Sequence, residues 1–172
     1  MDFSKFDNCN FDSKAIEEAR KNPPQNNTPA GNYVARIEKM ELGATKDGRP
    51  MFKVQCRVVE AGENAKADVT EYLSHFKDKK PCLFMNRVIY GTKNDSNMIA
   101  SVLGWLDKLE TETVAEFKNY SQFSECVLDI YEEVADAIEL DVNYDPDAFN
   151  SIEINEEVER YLKGEKLLNE LK

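Results

Sequence analysis

Glycine is scarce in this chain, at 7 of 172 residues. No glycine-rich segment has the spacing to cradle a phosphate, so a nucleotide-binding loop is not expected. Histidine occurs once, as His75, without a partner to make it a catalytic or metal-ligating group. The four cysteines, Cys9, Cys56, Cys82 and Cys126, are widely spread. No pair has the short spacing of a zinc knuckle or a redox motif, and small buried residues in a reducing compartment are the expected reading. No run approaches the roughly 20 apolar residues that span a bilayer. The opening segment, Met1–Lys14, is polar and acidic and lacks the apolar stretch of a signal peptide. A cytoplasmic protein with no membrane contact is expected, and no cofactor or metal site. Internal repeats and low-complexity segments are also missing.

What is present is an ordinary globular balance, with 41% apolar and 32% charged residues. The length suits one domain with a sizeable core. The net charge of −11 argues against nucleic acid until its distribution is followed. Gly31–Arg57 carries +3 and Lys77–Lys93 carries +4, whereas Asn94–Lys172 carries −14. A basic region set apart from acid is compatible with a phosphate groove, because the local field matters more than the total. Composition alone favours two solvated charged faces.

Residues 1–30 read as an appended arm: Asp12 caps a short helix through about Asn22, Pro23-Pro24 stops it, and Gln25-Asn26-Asn27 is linker. Gly31–Leu42 is rich in β-formers, but its alternation breaks. Tyr33, Ala35 and Ile37 share one face and Met40 and Leu42 the other, which a bulge near Glu38-Lys39 reconciles. Asp47-Gly48 marks a hairpin turn. Met51–Val59 alternates cleanly, with Phe52, Val54, Cys56 and Val58 opposite Lys53, Gln55 and Arg57. Val69, Tyr72, Leu73 and Phe76 fall at helical spacing behind Asp68, read as a cap. Pro81–Tyr90 is a third strand whose inward face stays open, Leu83, Met85 and Ile89 competing with Phe84, Val88 and Tyr90.

Two helices follow. The first carries Met98, Ile99, Val102, Leu103, Leu106 and Leu109 with Trp105 beside them; the second spans about Ser121–Ala137. Ile138–Tyr144 and Phe149–Asn155 are the last strands, joined by the turn Asp145-Pro146-Asp147. The tail, 156–172, is read as a helix. The expected fold is mainly β with α: a five-stranded OB-fold-like barrel over 31–155, in the order strand, strand, strand, helix, helix, strand, strand, with N- and C-terminal helical additions. In that fold the face of strands 2 and 3 binds oligonucleotides or oligosaccharides.

Several stretches carry a family resemblance: MDFSKF at the start; PAGNYVARIEKMELGATKDGRPMFKV; FMNRVIYGTKND leading into IASVLGWLDKLE; and ELDVNYDPDAFNSIEINE. In this order they resemble phage-encoded proteins of the DUF669 type, regarded as single-stranded DNA-binding proteins. The sequence departs from that pattern at Ala61–Lys80 and in its acidic C-terminal half. The resemblance implies a role in bacteriophage DNA replication or recombination, with phage recombinase or replication proteins as further partners. The tail helix has two options, packing on its own domain or joining two protomers as a homo-oligomer.

Single-stranded DNA is held by cations along the phosphates and aromatic rings against the bases. The candidates are Lys53, Gln55 and Arg57 on the second strand, flanked by Arg36 and Arg87. Lys77, Lys79 and Lys80 lead into Phe84 and Tyr90, with Lys93 beyond, and Lys46 and Arg49 flank the hairpin turn. Each residue alone is better explained as solvated surface or, for Phe84 and Tyr90, as core; as a set they favour a binding face. The competing expectation is an acidic interaction module that binds a host or phage DNA-handling enzyme. A nuclease ranks last, since Asp145 and Asp147 read as turn chemistry. No enzyme signature is found.

Overall fold

The computed structural model describes Ser4 and residues 12–21, 28–89, 95–135 and 137–160. The arm begins as expected. Asp12 Oδ1 accepts from the Lys14 and Ala15 amides at 3.0 and 3.1 Å, relieving unpaired donors at the start of α1 (Ser13–Lys21).

Strands β1 (Gly31–Ala44) and β2 (Pro50–Ala61) form a long antiparallel hairpin. Gly48 adopts φ +85° in its turn, a conformation that costs glycine nothing. Thr45 closes the turn, its Oγ1 accepting from the Arg49 amide at 3.0 Å. The anticipated bulge is present. Ile37 faces Cys56 and Lys39 faces Gln55, which leaves Glu38 as the extra residue. The shift returns Met40 to the inner face, so Tyr33, Ala35, Ile37 and Met40 are all buried.

Helix α2 (Ala67–Ser74) follows, with Val69, Leu73 and Phe76 buried. Its cap position is Lys66 rather than the expected Asp68. Asp68 lies one residue inside the helix, where its carboxylate still suits the positive end of the helix dipole. Strand β3 (Cys82–Val88) pairs with β2, and the open question of its inward face is decided: Leu83, Met85 and Ile89 are buried, whereas Phe84 is 47% exposed. Helices α3 (Ser96–Asp107) and α4 (Tyr120–Val134) then cover the sheet's inner face. α4 ends three residues before the expected Ala137, and Tyr131 on it is half-buried, donating from its hydroxyl to the Glu38 carbonyl at 2.6 Å.

Strands β4 (Ile138–Asp145) and β5 (Ser151–Arg160) complete a five-stranded antiparallel sheet in the order β3-β2-β1-β4-β5. The expected C-terminal helix is corrected in part. Residues 156–160 continue β5, because Ile138 and Glu139 at the head of β4 pair with Arg160 and Glu159. The rest of that segment, 161–172, lies outside the described residues. Phe149, read as the first residue of the last strand, belongs instead to the turn before β5.

The fold is mixed α and β, and the hydrogen-bonded sheet does not close. Its edges, β3 and β5, nevertheless approach: Arg87 Nη1 donates to Phe149 O at 2.8 Å, and the Ile152 amide lies 3.4 Å from Met85 Sδ. Between the edges is a cleft of about 370 Å³ lined by Phe52, Met85, Arg87, Trp105, Lys108 and Ile152, among others. Here β5 lacks a neighbouring strand, and side chains take its place. Trp105 Nε1 donates to Ile152 O at 2.9 Å and Lys108 Nζ to Ile154 O at 3.3 Å, satisfying edge carbonyls that would otherwise stand unpaired. Trp105 thus packs on the core, edge-on to Phe52. Inner-face residues of all five strands and of α2, α3 and α4 join one buried cluster.

The N-terminal half of β1 is held between β2 and β4. Asn32, 5% exposed, ties three segments together there: Nδ2 donates to Asp141 Oδ1 and to Val142 O (3.0 Å), and Oδ1 accepts from the Asn64 amide (3.1 Å). Among the described residues no helix is long and apolar enough to cross a membrane.

Candidate nucleic-acid interface

The outer face of β1, β2 and β3 follows from pairing. Gln55 stands between Lys39 on β1 and Phe84 on β3, and Lys53 stands between Glu41 and Asn86. The side chains of Lys39, Lys53, Gln55, Phe84 and Asn86 line a shallow depression of about 100 Å³. An exposed aromatic ring therefore sits on an open sheet face beside two ammonium groups and two amides. That combination offers stacking, phosphate attraction and adaptable hydrogen bonding in one place.

The bulge governs the neighbouring part of the face. By projecting Glu38 it brings a carboxylate against Arg57, whose Nε and Nη2 donate to Glu38 Oε2 and Oε1 at 2.7 and 3.0 Å. The remaining fork nitrogen, Nη1, donates to Lys80 O at 2.8 Å. This paired geometry is the strongest that arginine forms with a carboxylate. Its hydrogen bonds hold the Glu38 carboxyl below the ordinary glutamate range and raise the Arg57 guanidinium above its ordinary value. Gln55 Nε2 joins the same network, 3.2 Å from Glu38 Oε1 and 3.4 Å from Cys82 Sγ.

The candidate cations differ in what engages them. Arg36 donates to Glu139 on β4, through Nε at 3.0 Å and through Nη2. Arg49 pairs with Asp47 at 3.0 Å. Arg87, with its charged form disfavoured by burial, is bonded to Asn86 O and Phe149 O. Lys80 sits at the end of α2, its Nζ 3.2 Å from Leu73 O and 3.4 Å from Phe76 O, the favourable place for a cation on a helix. Among the described residues, ion pairs engage Arg36, Arg49, Arg57 and Lys39, the last with Glu41 at 3.7 Å, but not Lys46, Lys53, Lys77 or Lys79. The guanidinium groups of Arg36, Arg49 and Arg57 are thus held in ion pairs, whereas Lys46, Lys77 and Lys79 are exposed. Tyr90 and Lys93 lie outside the described residues.

Of the candidates, the structure brings Lys53, Gln55 and Phe84 together at the depression and places Arg57 beside them. Lys46 and Arg49 lie apart, on the hairpin turn. Lys39 and Asn86 belong to the same surface and were not singled out from sequence. The bulge was the available signal for Lys39, since skipping Glu38 puts Lys39 opposite Gln55. Asn86 follows from alternation once Phe84 is known to face outward.

The cysteines Cys56, Cys82 and Cys126 are buried free thiols, and burial pushes the Cys56 thiol up to about 12. Asp145 acts in the turn after β4, accepting from the Asp147 amide at 3.0 Å. Compared with known proteins, the chain matches no family model and no curated protein.

Proposed function

We propose that the protein binds single-stranded DNA with little sequence preference, across the outer face of β1–β3, as part of bacteriophage replication or recombination. The observation that carries the reading is the exposed Phe84 ring between Lys39, Lys53, Gln55 and Asn86. A ring half open to water between buried Leu83 and Met85 supplies the π-face that every base accepts. Lys53, and Lys39 with its exposed pairing to Glu41 at 3.7 Å, supply the cations that phosphates attract.

The strand order, and the approach of β3 to β5, support reading the open sheet as an incompletely closed five-stranded barrel of the OB type, in which this face is the oligonucleotide-binding one. The resemblance to DUF669-type phage proteins points the same way.

The test is fluorescence anisotropy with a labelled oligothymidylate, in low and moderate salt, beside a duplex competitor. Binding that weakens steeply with salt and prefers the single strand is the expected result; no binding in low salt overturns the proposal. Phe84→Ala should weaken binding by about 1–3 kcal/mol with the fold intact.

A second reading, an acidic module that docks on a DNA-handling enzyme, is favoured by the outer side of α4. There exposed Leu128 stands among Glu125, Asp129 and Glu132. Recovery of such an enzyme after nuclease treatment, with no DNA affinity, would select it.

A further inference from the structure

The turn between β4 and β5 combines two features that do not serve folding. Phe149 is 89% exposed, more than any other large apolar residue described, and its backbone lies in the left-handed region at φ 56°. Asn150 follows at φ 53°. Asparagine tolerates that region, and Asn150 is anchored there, its Oδ1 3.1 Å from the Tyr144 hydroxyl. A phenylalanine gains nothing from it: the bulky side chain strains the backbone, and the ring buries almost no surface in return. Strain held at a solvent-exposed side chain is the pattern of a functional position.

The strain is held from across the sheet's gap. Arg87 Nη1 donates both to Asn86 O, 2.9 Å away, and to Phe149 O, 2.8 Å away. One nitrogen therefore sets the turn's carbonyl beside the strand residue that edges the Phe84 depression. The lower end of the turn is fixed independently, by the Asp145 carboxylate on the Asp147 amide and by Ala148 N donating to Asp145 O at 3.3 Å. The ring is thus carried on a turn pinned at both ends and bonded to the edge of β3, the strand that bears Phe84.

We infer that Phe149 is a second base-stacking platform, holding a nucleobase of the same strand that crosses Phe84, with Arg87 as the residue that positions it. This rests on the reading of the β1–β3 face as a single-stranded DNA site and extends that site over the gap between β3 and β5. The role of Arg87 is carried by Nη1, which holds the two carbonyls.

The experiment compares wild type, Phe149→Ala, Phe149→Tyr and Phe84→Ala by anisotropy with one labelled oligothymidylate in low salt, with thermal melting of each. Losing a stacked base weakens binding about five-fold to a hundred-fold. Phe149→Ala should show a loss in that range with a melting temperature equal to or above wild type, and Phe149→Tyr should bind as wild type does. If wild type binds and Phe84→Ala is impaired while Phe149→Ala stays within two-fold of wild type, this inference falls and the proposed function stands. A Phe149→Tyr protein as weak as Phe149→Ala also overturns the stacking role. If wild type does not bind at all, both fall.

Discussion

Asn32 shows how one polar side chain organises a distant set of backbone. Its amide satisfies Val142 O and the Asn64 amide and touches Asp141 from a nearly water-free position. Asn32→Ala would remove the side-chain donor from the buried Val142 carbonyl and the acceptor from the Asn64 amide, and a buried donor or acceptor left without a partner costs about 1–3 kcal/mol. The urea midpoint should fall accordingly with the m-value unchanged. Gly62 shares the site. A Cβ built there would come within 1.9 Å of Asn32 Oδ1, so Gly62→Ala is expected to cost a similar 1–3 kcal/mol by overpacking. If either variant melts with wild type, the knot contributes nothing.

The bulged hairpin is the element that decides what the binding face contains. One extra residue returns Met40 to the core, brings Lys39 opposite Gln55, and presents Glu38 to Arg57. The Glu38 carboxyl is held below its ordinary value of roughly 4.3. A carboxyl lowered by folding stabilises the native state above that ordinary value and loses the effect as pH falls through its native value. The stability gap between wild type and Glu38→Gln should therefore be constant above about pH 5 and shrink below about pH 4. Urea unfolding at pH 7, 5 and 3 measures it. Both groups are partly exposed, at 26% for Arg57 and 41% for Glu38, so the gap should stay within about 1 kcal/mol. A gap that widens in acid would show that the pair is not what the bulge gains. Arg57 is accordingly a poor choice for testing DNA contact, because its replacement disturbs the bulge itself.

Across the molecule, the acidic total of −11 and a DNA-binding proposal are reconciled by where charge is free. Arg36 and Arg57 pair inside the fold, and the carboxylates described between Asp95 and Glu153 belong to α3, α4, β4, β5 and the segments around them, while Lys39 and Lys53 lie on the outer face of β1 and β2. Each phosphate contact on a single strand contributes a slope of about 0.7 in log affinity against log salt. Replacing Lys39 and Lys53 together by glutamine should therefore flatten that slope by about 1.4 and leave the urea midpoint in place. An unchanged slope would move the phosphate path away from the depression.

Much of this was legible in the residue order. The alternation of Phe52, Val54, Cys56 and Val58 marks β2, and the broken alternation of β1 demands a bulge near Glu38-Lys39. Helical spacing identifies α2, α3 and most of α4. These are local properties, written within a turn of helix or a few strand residues, and hydrophobic periodicity carries them. The rest depends on partners remote in sequence. Phe84 faces outward because Leu83 and Met85 are claimed by a core built from the other strands and helices. Residues 156–160 are strand because β4 offers them a ladder, overriding glutamates that suit a helix. Arg36 is engaged by Glu139, and Phe149 is pinned by Arg87, across separations no sequence window spans. Periodicity tells which way a side chain points along its own element; pairing between distant elements settles which charges remain free and which ring stays in water.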